Sequence, residues 1–361
     1  MDFDPDKPYN DLPLLPPKFE LENRDILRKA ITANTALAEL KGLGASIPNQ
    51  NILINSLTLQ EAKHSSEIEN VITTNDALYK AFTAKTSKID PATKEVLHYR
   101  EALWEGYKKV KKRRILNTNL FIELVRMIKQ NQAGIRNTPG TKIANSGTGK
   151  VVYTPPEGER IIRDKLANLE SWLHEEDGPD PLIKLAVIHY QFEAIHPFSD
   201  GNGRTGRLIN ILYLIQQDLL NYPVLYLSKY IIDHKPDYYK LLREVTEKNA
   251  WQPWIFFMLD AVEQTANSSI KRINAIRSLL DKFLRDAKKQ LPDYMYSKEL
   301  IELLFDQPYC KAEFLVKSNI AKRQTAASYL KELERIGILK LHKTGKENLY
   351  LNVELFEILA K

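Results

Sequence analysis

The sequence predicts a mainly α-helical protein of two units: a large helical core with one β-hairpin, and a smaller C-terminal unit of helices and strands. The 361 residues exceed a typical single domain, and 43% of them are hydrophobic, which suffices for one sizeable core and a smaller one. Helical segments fill most of residues 25–290, whereas residues 141–156 alternate around a glycine-containing turn, which predicts a hairpin. The long helical stretch 252–290 ends in basic residues and is interpreted as a connector.

Charge and cysteine content restrict the class of protein. The formal net charge of +6 and the pI near 9.0 suit phosphate-bearing or acidic partners without requiring nucleic acid. The lone cysteine, Cys310, excludes an internal disulfide, fits a reducing cytosol and is interpreted as a buried thiol. The N-terminus is acidic where a signal peptide would be basic, and apolar runs are too short to span a membrane. We therefore expect a soluble cytoplasmic protein.

The N-terminal region predicts an arm followed by helices. Residues 1–20 carry five prolines, so we expect an extended arm that is packed over the core or partly disordered. Asp25 can cap a first helix, and Gly42 and Gly44 are expected to end it.

A second helix is predicted to begin near Thr58, because Thr58-x-x-Glu61 has the spacing of a capping box. It should end at Asn70, which suits the left-handed closing position. The Glu69 carboxylate then lies at a helix C-terminus, where it opposes the helix dipole and needs a cationic partner. A solvated carboxylate is the alternative.

Further helices follow at regular intervals. They are predicted over residues 75–85, 92–113, 119–132, 158–176 and 181–194. The basic run at 108–114 is interpreted as a solvated helix end.

The densest chemistry lies in residues 196–207, His-Pro-Phe-Ser-Asp-Gly-Asn-Gly-Arg-Thr-Gly-Arg. Pro197 disfavours helical backbone at His196, so the preceding helix should end there and present the imidazole in a loop. Gly201 and Gly203 can adopt positive φ and let backbone N–H groups converge where the next, apolar helix begins. Such a turn is an anion-binding site.

Two arginines and a carboxylate indicate which anion is bound. Arg204 and Arg207 lie three residues apart on one face of the first helical turn, where positive charge opposes the helix dipole. Phosphates offset this charge best, because a guanidinium matches phosphate oxygens with two parallel hydrogen bonds. Asp200 beside them supplies a hard oxygen ligand for Mg²⁺.

These twelve residues resemble the signature of the Fic family, His-Pro-Phe-x-Asp/Glu-Gly-Asn-Gly-Arg-x-x-Arg. Every fixed position is matched, by His196, Pro197, Phe198, Asp200, Gly201, Asn202, Gly203, Arg204 and Arg207. Members of the family mostly transfer AMP from ATP to a Ser, Thr or Tyr hydroxyl of a target protein and release pyrophosphate. The resemblance therefore implies a protein adenylyltransferase with ATP as co-substrate and Mg²⁺ as cofactor.

The resemblance also implies a role for each residue. His196 would take the proton of the target hydroxyl, and Asp200 would hold Mg²⁺ across the phosphates. The 201–203 backbone and Asn202 would cradle the α-phosphate, while Arg204 and Arg207 bind the β and γ end. The implied nucleotide-binding residues are Glu69, Gly201, Asn202, Gly203, Arg204, Thr205, Gly206, Arg207, Tyr238 and Tyr239.

Two further stretches resemble parts of the family's active site. The predicted hairpin corresponds to a flap that aligns a target segment as an added strand, with Val151, Val152 and Tyr153 on its returning arm. The paired Tyr238 and Tyr239 resemble the adenine-side wall, with ordinary core packing as the alternative.

The second helix resembles the family's inhibitory motif, Ser/Thr-x-x-x-Glu-Gly/Asn, through Ser65, Glu69 and Asn70. In that motif the glutamate pairs with the second arginine of the signature and keeps the γ-phosphate from a productive position. The implied pair in this chain is Glu69 with Arg207.

The sequence of the C-terminal unit predicts a winged helix. Residues 297–305, 311–316 and 322–336 are expected to be helical, and strands are expected at 338–342 and 348–352 around a turn at Gly345. Residues 290–361 contain 11 Lys and Arg against 10 Asp and Glu, a small excess for a domain that follows DNA phosphates. We therefore favour contact with protein, including a homodimer, over DNA.

Taken together, the sequence predicts a Fic-type helical core of about eight helices with a β-hairpin flap and a C-terminal winged helix. The expected regions are 1–100 with the inhibitory helix at 58–70, the catalytic core 101–270, a connector 271–292 and the winged helix 293–361. The predicted function is protein adenylyltransferase restrained by Glu69. Removal of AMP from modified targets, and a DNA-binding regulator that senses nucleotide, are the alternatives.

Overall fold

The protein, described here as a computed structural model, is mainly helical, and the structure describes residues 3–45, 50–83, 89–145, 147–344 and 347–360. The helices are α1 Arg24–Ala45, α2 Gln50–Ile68, α3 Asn75–Thr83, α4 Pro91–Arg113, α5 Thr118–Lys129, α6 Glu159–Leu173, α7 Pro181–Ile195, α8 Asn202–Gln216, α9 Leu227–Asp233, α10 Lys235–Lys248, α11 Trp251–Gln290, α12 Lys298–Leu303, α13 Ala312–Lys317, α14 Arg323–Arg335 and α15 Val353–Ala360. The strands are β1 Ile143–Ala144, β2 Val151–Tyr153, β3 Tyr309–Cys310, β4 Lys340–Thr344 and β5 Glu347–Leu351.

Helices α7 and α8 form the centre of the core. Asp180 caps α7, accepting a hydrogen bond from the Leu182 N–H at 2.9 Å, and Pro181 occupies the first turn. Every residue from 182 to 192 is buried, because other helices surround α7. Helix α7 packs against α8, so the loop between them, residues 196–201, is held at both ends by buried helices.

The predicted C-terminal end of the first helix and the predicted start of the second helix were wrong, whereas the predicted left-handed Asn70 after the second helix is confirmed. Helix α1 continues through Gly42 and Gly44 to Ala45, because its packing along α11 outweighs the low helix propensity of glycine. Helix α2 begins at Gln50, eight residues before Thr58.

The proposed capping box at Thr58 does not form. The Thr58 hydroxyl lies inside the helix and donates to the Ile54 carbonyl at 2.5 Å. Glu61 is buried and accepts hydrogen bonds from Ser228 N–H at 3.1 Å and from the Tyr99 hydroxyl at 3.2 Å. Its burial raises the pKa of Glu61. Glu61 therefore anchors α2 to α4 and α9 instead of capping it.

Most other elements agree with the sequence to within a few residues. The flap hairpin is confirmed, with β1 antiparallel to β2 and Ile143 opposite Tyr153. The short helix α9 and the C-terminal helix α15 were not predicted. The predicted end of the third helix near Lys85 and the residue Ser146 in the flap turn lie outside the described residues.

The C-terminal unit has the predicted order of three helices followed by two strands, and adds two elements. Strand β3 joins the sheet, which has the antiparallel order β3-β5-β4, and α15 packs back on α2 and α11. Cys310 is buried in β3, as predicted for a structural thiol, and burial raises its pKa to about 12. The predicted turn at Gly345 lies outside the described residues.

A membrane-crossing helix is missing from the described part of the chain, where no helix is both long and apolar enough.

Substitutions at two glycines, Gly106 and Gly42, test the packing of this core. A Cβ at Gly106 in α4 would lie 2.7 Å from Leu212 Cδ1 of α8, whereas a Cβ at the helical Gly42 would meet nothing within 4 Å. We expect Gly106→Val to lower the free energy of unfolding by about 1–3 kcal/mol through overpacking. Gly42→Ala should raise it by up to about 1 kcal/mol. Urea unfolding followed by circular dichroism measures both changes in the free energy of unfolding. An unfolding midpoint of Gly106→Val equal to that of the wild type would show that α4 and α8 are not in close contact.

Candidate active site

A cavity of about 820 Å³ opens where the end of α2, the flap, the end of α7 and the starts of α8 and α10 meet. Its lining includes Glu69, Val152, Tyr153, Glu193, His196, Gly203, Arg207, Tyr238 and Tyr239. The elements that the sequence singled out therefore converge on one concave site.

His196 ends α7 in the left-handed backbone region, with φ 49° and ψ 59°. Arg136 holds this conformation: its Nε donates to the His196 carbonyl at 2.7 Å, and its backbone N–H donates to the Pro197 carbonyl at 2.9 Å. Burial, together with the Arg136 charge, lowers the pKa of His196 to about 4. The imidazole is therefore neutral near pH 7 and can accept a proton.

The loop after His196 is closed by side-chain hydrogen bonds. The Asn202 amide accepts from the Phe198 N–H at 2.8 Å and donates to the Phe198 carbonyl at 2.7 Å. The Thr205 hydroxyl donates to the Gly201 carbonyl at 2.8 Å, and Gly201 has φ 83°. These two side chains shape the loop, which leaves the first backbone N–H groups of α8 to form an anion site.

Arg207 is the central charged group of the site. Only 1% of its side chain is exposed, and its Nε donates to the Ser65 hydroxyl at 2.9 Å. Its Nη2 donates to the Ser65 carbonyl and to Glu69 Oε1, each at 2.8 Å. The pair joins the C-terminal end of α2 to the second turn of α8, one turn later than the sequence predicted for Arg207. At the end of α2 the Glu69 charge alone opposes the helix dipole.

Glu69 is held at the rim of the cavity, with 35% of its side chain exposed. Burial alone would raise the pKa of Glu69, but the charge and hydrogen bond of Arg207 lower it overall. The Lys235 ammonium donates to the Ile68 carbonyl at 2.6 Å and fixes the last turn of α2. Glu69 is thus an ionised carboxylate that is reachable from solvent.

Gly203 provides the space for this pair. A Cβ at position 203 would overlap the Glu69 carboxylate and lie 2.9 Å from Arg207 Nη1. The carboxylate therefore lies directly against the predicted anion site.

Arg204 and Asp200 form a second charged group beside the loop. Arg204 is buried and donates to Glu95 Oε1 at 2.5 Å, and Lys129 contacts Asp200 Oδ2 at 2.6 Å. Asp200 keeps 64% of its side chain exposed. Burial alone would raise the pKa of Asp200, but the hydrogen bond and charge of Lys129 lower it overall.

The described stretches contain no cluster of three or more His, Cys, Asp or Glu placed to hold a metal ion. Mg²⁺ in nucleotide sites is typically held by one or two carboxylates together with substrate phosphates. The exposed, ionised Asp200 fits that requirement.

The two tyrosines of α10 differ in environment. Tyr238 is fully buried, shares a 2.8 Å hydrogen bond with His189 Nε2 and packs on Trp254, which agrees with ordinary core packing. Tyr239 is 45% exposed and presents its ring to the cavity rim.

The flap contacts helix α7 on one side and the N-terminal arm on the other. The Tyr153 hydroxyl donates to the Ala194 carbonyl at 2.8 Å, which ties β2 to the end of α7. On the outer side, Tyr9 N–H donates to the Thr154 carbonyl at 2.9 Å, and the Phe3 ring stacks on Tyr153 with 5.9 Å between centroids. The N-terminal arm therefore packs over the flap.

Sequence reasoning missed two functional candidates, Arg136 and Glu193. No pattern around Arg136 indicated its contact with the His196 loop. Glu193 was detectable as a lone carboxylate within the apolar helix α7, one turn before His196. Its Oε1 is buried against Gly206 without a hydrogen-bond partner among the described residues, and burial raises the pKa of Glu193 to about 7.

Three stretches of the chain match known families. Residues 27–108 match the Fic/DOC family N-terminal region and residues 115–214 match the Fic/DOC family. Residues 279–355 match the C-terminal domain described as protein adenylyltransferase SoFic-like.

Several curated relatives share part of the sequence. A protein adenylyltransferase Fic from Culex quinquefasciatus is 33% identical over 112 residues, which are 30% of this chain and 21% of that protein. Protein adenylyltransferase fic-1 from Caenorhabditis elegans is 29% identical over 154 residues, 42% of this chain and 28% of that protein. A probable protein adenylyltransferase from Aquifex aeolicus is 35% identical over 79 residues, 22% and 24% of the two chains. The chain spans about a quarter of the length of these relatives.

Solved structures show the same fold. A Fic family protein from Desulfovibrio desulfuricans G20 aligns with a TM-score of 0.58 at 18% identity, over 93% of this chain and 98% of that chain. A structure of Fic-1 from C. elegans aligns with a TM-score of 0.52 at 20% identity, over 69% and 74% of the two chains. The predicted fold class, a mainly helical Fic-type core with a hairpin flap and a C-terminal domain, is confirmed.

The buried Glu193 predicts a pH dependence of stability. In the unfolded chain a glutamate ionises near pH 4.5, whereas folded Glu193 keeps its proton to about pH 7, so raising the pH through this window favours unfolding. Glu193→Gln cannot ionise, so it does not lose stability as the pH rises. Its melting temperature should therefore exceed that of the wild type increasingly from pH 5 to pH 8. Glu176→Gln, at an exposed position, is the matched control. A difference in melting temperature between Glu193→Gln and the wild type that is the same at pH 5 and pH 8 would contradict the raised pKa of Glu193.

Proposed function

Because this chain belongs to the Fic/DOC family, we propose that it transfers AMP from ATP to a Ser, Thr or Tyr hydroxyl of target proteins and of itself. We further propose that the Glu69–Arg207 pair restrains this reaction. The observation that carries the proposal is the convergence, on one cavity, of a neutral imidazole, a glycine-rich helix start and a buried arginine held by a carboxylate.

In the proposed reaction, the target hydroxyl oxygen attacks the α-phosphorus of ATP. The new bond forms as the bond from the α-phosphorus to the oxygen bridging the β-phosphorus breaks, so pyrophosphate leaves in line. His196 accepts the hydroxyl proton, which its neutral state permits and its fixed position at the end of α7 favours.

The anion site stabilises charge that develops on the phosphates. The backbone N–H groups at the start of α8 and the guanidinium of Arg207 meet the α-phosphate and the terminal phosphates, respectively. Asp200 is the residue that would hold Mg²⁺, which neutralises phosphate charge when bound.

The restraint follows from competition for Arg207. In the resting arrangement the Arg207 Nη2 is shared by Ser65 and Glu69. A γ-phosphate that needs the same guanidinium must displace the carboxylate or settle in an unproductive position. Because Glu69 lies at the exposed rim, its displacement does not require unfolding of α2.

The flap supports a protein substrate. Strands β1 and β2 form a two-stranded sheet within the described residues, so an extended target segment can add to its free edge. Val152 and Tyr153 line the same cavity as His196, which supports the proposal that a strand added to this hairpin lies near His196.

Removal of AMP from modified targets is a second candidate. It is favoured by one observation, the Glu69 carboxylate that lies against Gly203 in the same cavity as His196, where it can orient a water. Incubating AMP-modified target with wild type and Glu69→Gly distinguishes the two reactions, because loss of Glu69 abolishes removal but not transfer.

His196→Ala should lower AMP transfer by about 10²–10⁴-fold, since the hydroxyl proton loses its acceptor. Binding of ATP, measured by calorimetry, should be nearly unchanged. Labelling of lysate proteins with α-³²P-ATP and Mg²⁺ measures transfer, and His98→Ala, outside the cavity, is the control. Transfer by His196→Ala at the wild-type rate would exclude His196 as the base.

Glu69→Gly should raise self-labelling and target labelling about 10–100-fold, the range set by one hydrogen bond between charged groups. Glu67→Gly makes the same change in the same helical turn without a contact to Arg207, and should leave the rate near wild type. Arg207→Ala should not become hyperactive. It also lacks Glu69's partner, but it has lost the guanidinium that binds the γ-phosphate. Equal labelling by wild type and Glu69→Gly, with both folded and binding ATP, would remove the restraint from the proposal.

A further inference from the structure

The C-terminal unit contacts the segment that carries Glu69. Strand β3 packs on α3, and α15 packs on both α2 and α11. Helix α3 begins at Asn75, one short connector after Glu69, and follows α2 directly in the chain. The two helices that flank the Glu69 connector, α2 and α3, therefore both contact the C-terminal unit.

A charged hydrogen bond joins the two units. The buried Tyr309 of β3 donates from its hydroxyl to Asp76 Oδ1 in the first turn of α3 at 2.5 Å. Asp76 also accepts from Lys80 at 2.7 Å, and the Lys80 ammonium lies 5.8 Å from the Tyr309 ring centroid. This contact fixes the start of α3 against the sheet of the C-terminal unit.

An aromatic contact continues from α15 through α3 to α2. The Phe356 ring of α15 meets the fully buried Tyr79 of α3 edge-on, with 5.9 Å between centroids. The Tyr79 hydroxyl in turn accepts a hydrogen bond at 2.9 Å from Gln60 of α2, about two and a half turns before Glu69. A continuous set of packed and hydrogen-bonded side chains thus leads from the C-terminal unit to the inhibitory helix.

The connector between α2 and α3 is short and fixed. It consists of residues 69–74, Asn70 adopts φ 62°, and the hydroxyl of the buried Thr73 pairs with that of Thr93 in α4. A displacement of α3 therefore reaches Glu69 across few residues with little freedom to absorb it.

We propose that Tyr309 and Phe356 of the C-terminal unit are positioning residues for the inhibitory glutamate. They hold α3, and through it the end of α2, in the place where Glu69 reaches Arg207. Loosening this contact raises AMP transfer by releasing Glu69, without any change in the catalytic residues. The inference rests on the proposed restraint of transfer by Glu69.

The test compares two deletions of a tyrosine hydroxyl in the full-length chain. Tyr309→Phe removes the hydrogen bond to Asp76, whereas Tyr329→Phe removes a 3.1 Å hydrogen bond to the Tyr294 carbonyl within the C-terminal unit. Each is made in the wild type and in Glu69→Gly, and self-labelling with α-³²P-ATP is measured. Phe356→Leu, which keeps an apolar side chain, is the second variant.

Tyr309→Phe should raise self-labelling of the wild type by about tenfold or more, the effect of one hydrogen bond to a charged group, and Phe356→Leu by about threefold to tenfold, the effect of one aromatic contact. Neither should raise it further in Glu69→Gly, where the glutamate is already absent. Tyr329→Phe should remain within about twofold of its parent in both backgrounds. A merely structural role would instead lower labelling in both backgrounds, and that result, or no change, overturns the inference.

Hydrogen–deuterium exchange supplies a readout independent of activity. Peptides that cover residues 61–75 should exchange faster in Tyr309→Phe than in Tyr329→Phe, because the end of α2 opens more often. If Glu69→Gly labels nothing, the proposed function fails, while faster exchange would still support the contact between the units. Unchanged exchange in Tyr309→Phe would overturn the positioning role whatever the activity.

Discussion

The arrangement of the site depends on one constraint, the neutralisation of the Arg207 guanidinium that is buried in the second turn of α8. A buried cation is costly unless it is paired and hydrogen-bonded. In the resting arrangement the charge is met by Glu69, whose own charge opposes the dipole of α2. The two charges thus relieve each other, and the end of α2 is tied to α8 at the cavity.

The same constraint links regulation to chemistry. Any anion that replaces Glu69 must provide negative charge at the start of α8, and nucleotide phosphates do so with two oxygens that match the guanidinium. Gly203 is needed because its missing side chain leaves room for the Glu69 carboxylate beside Arg207. On the proposed function, the Glu69 carboxylate and the substrate anion share one location, and only one of them occupies it productively.

Sequence patterns predicted those parts of the structure that depend on residues adjacent in the sequence. The loop that follows α7 and the flap hairpin follow from Pro197 and from residues 141–156, respectively. Features that depend on packing were missed. Helix α1 continues through Gly42 because it lies along α11, and Glu61 is anchored by Ser228, 167 residues later, instead of forming the predicted capping box. The contact of Tyr309 with Asp76, 233 residues apart, left no local pattern at all.

The most direct measurement of the central claim is a pair of crystal structures with a non-hydrolysable ATP analogue and Mg²⁺, one of the wild type and one of Glu69→Gly. The account predicts that wild-type Arg207 keeps its hydrogen bond to Glu69 and that the γ-phosphate lies elsewhere. In Glu69→Gly the γ-phosphate should accept hydrogen bonds from Arg207. A wild-type complex in which Arg207 binds the γ-phosphate while Glu69 remains in place would contradict competition for one guanidinium.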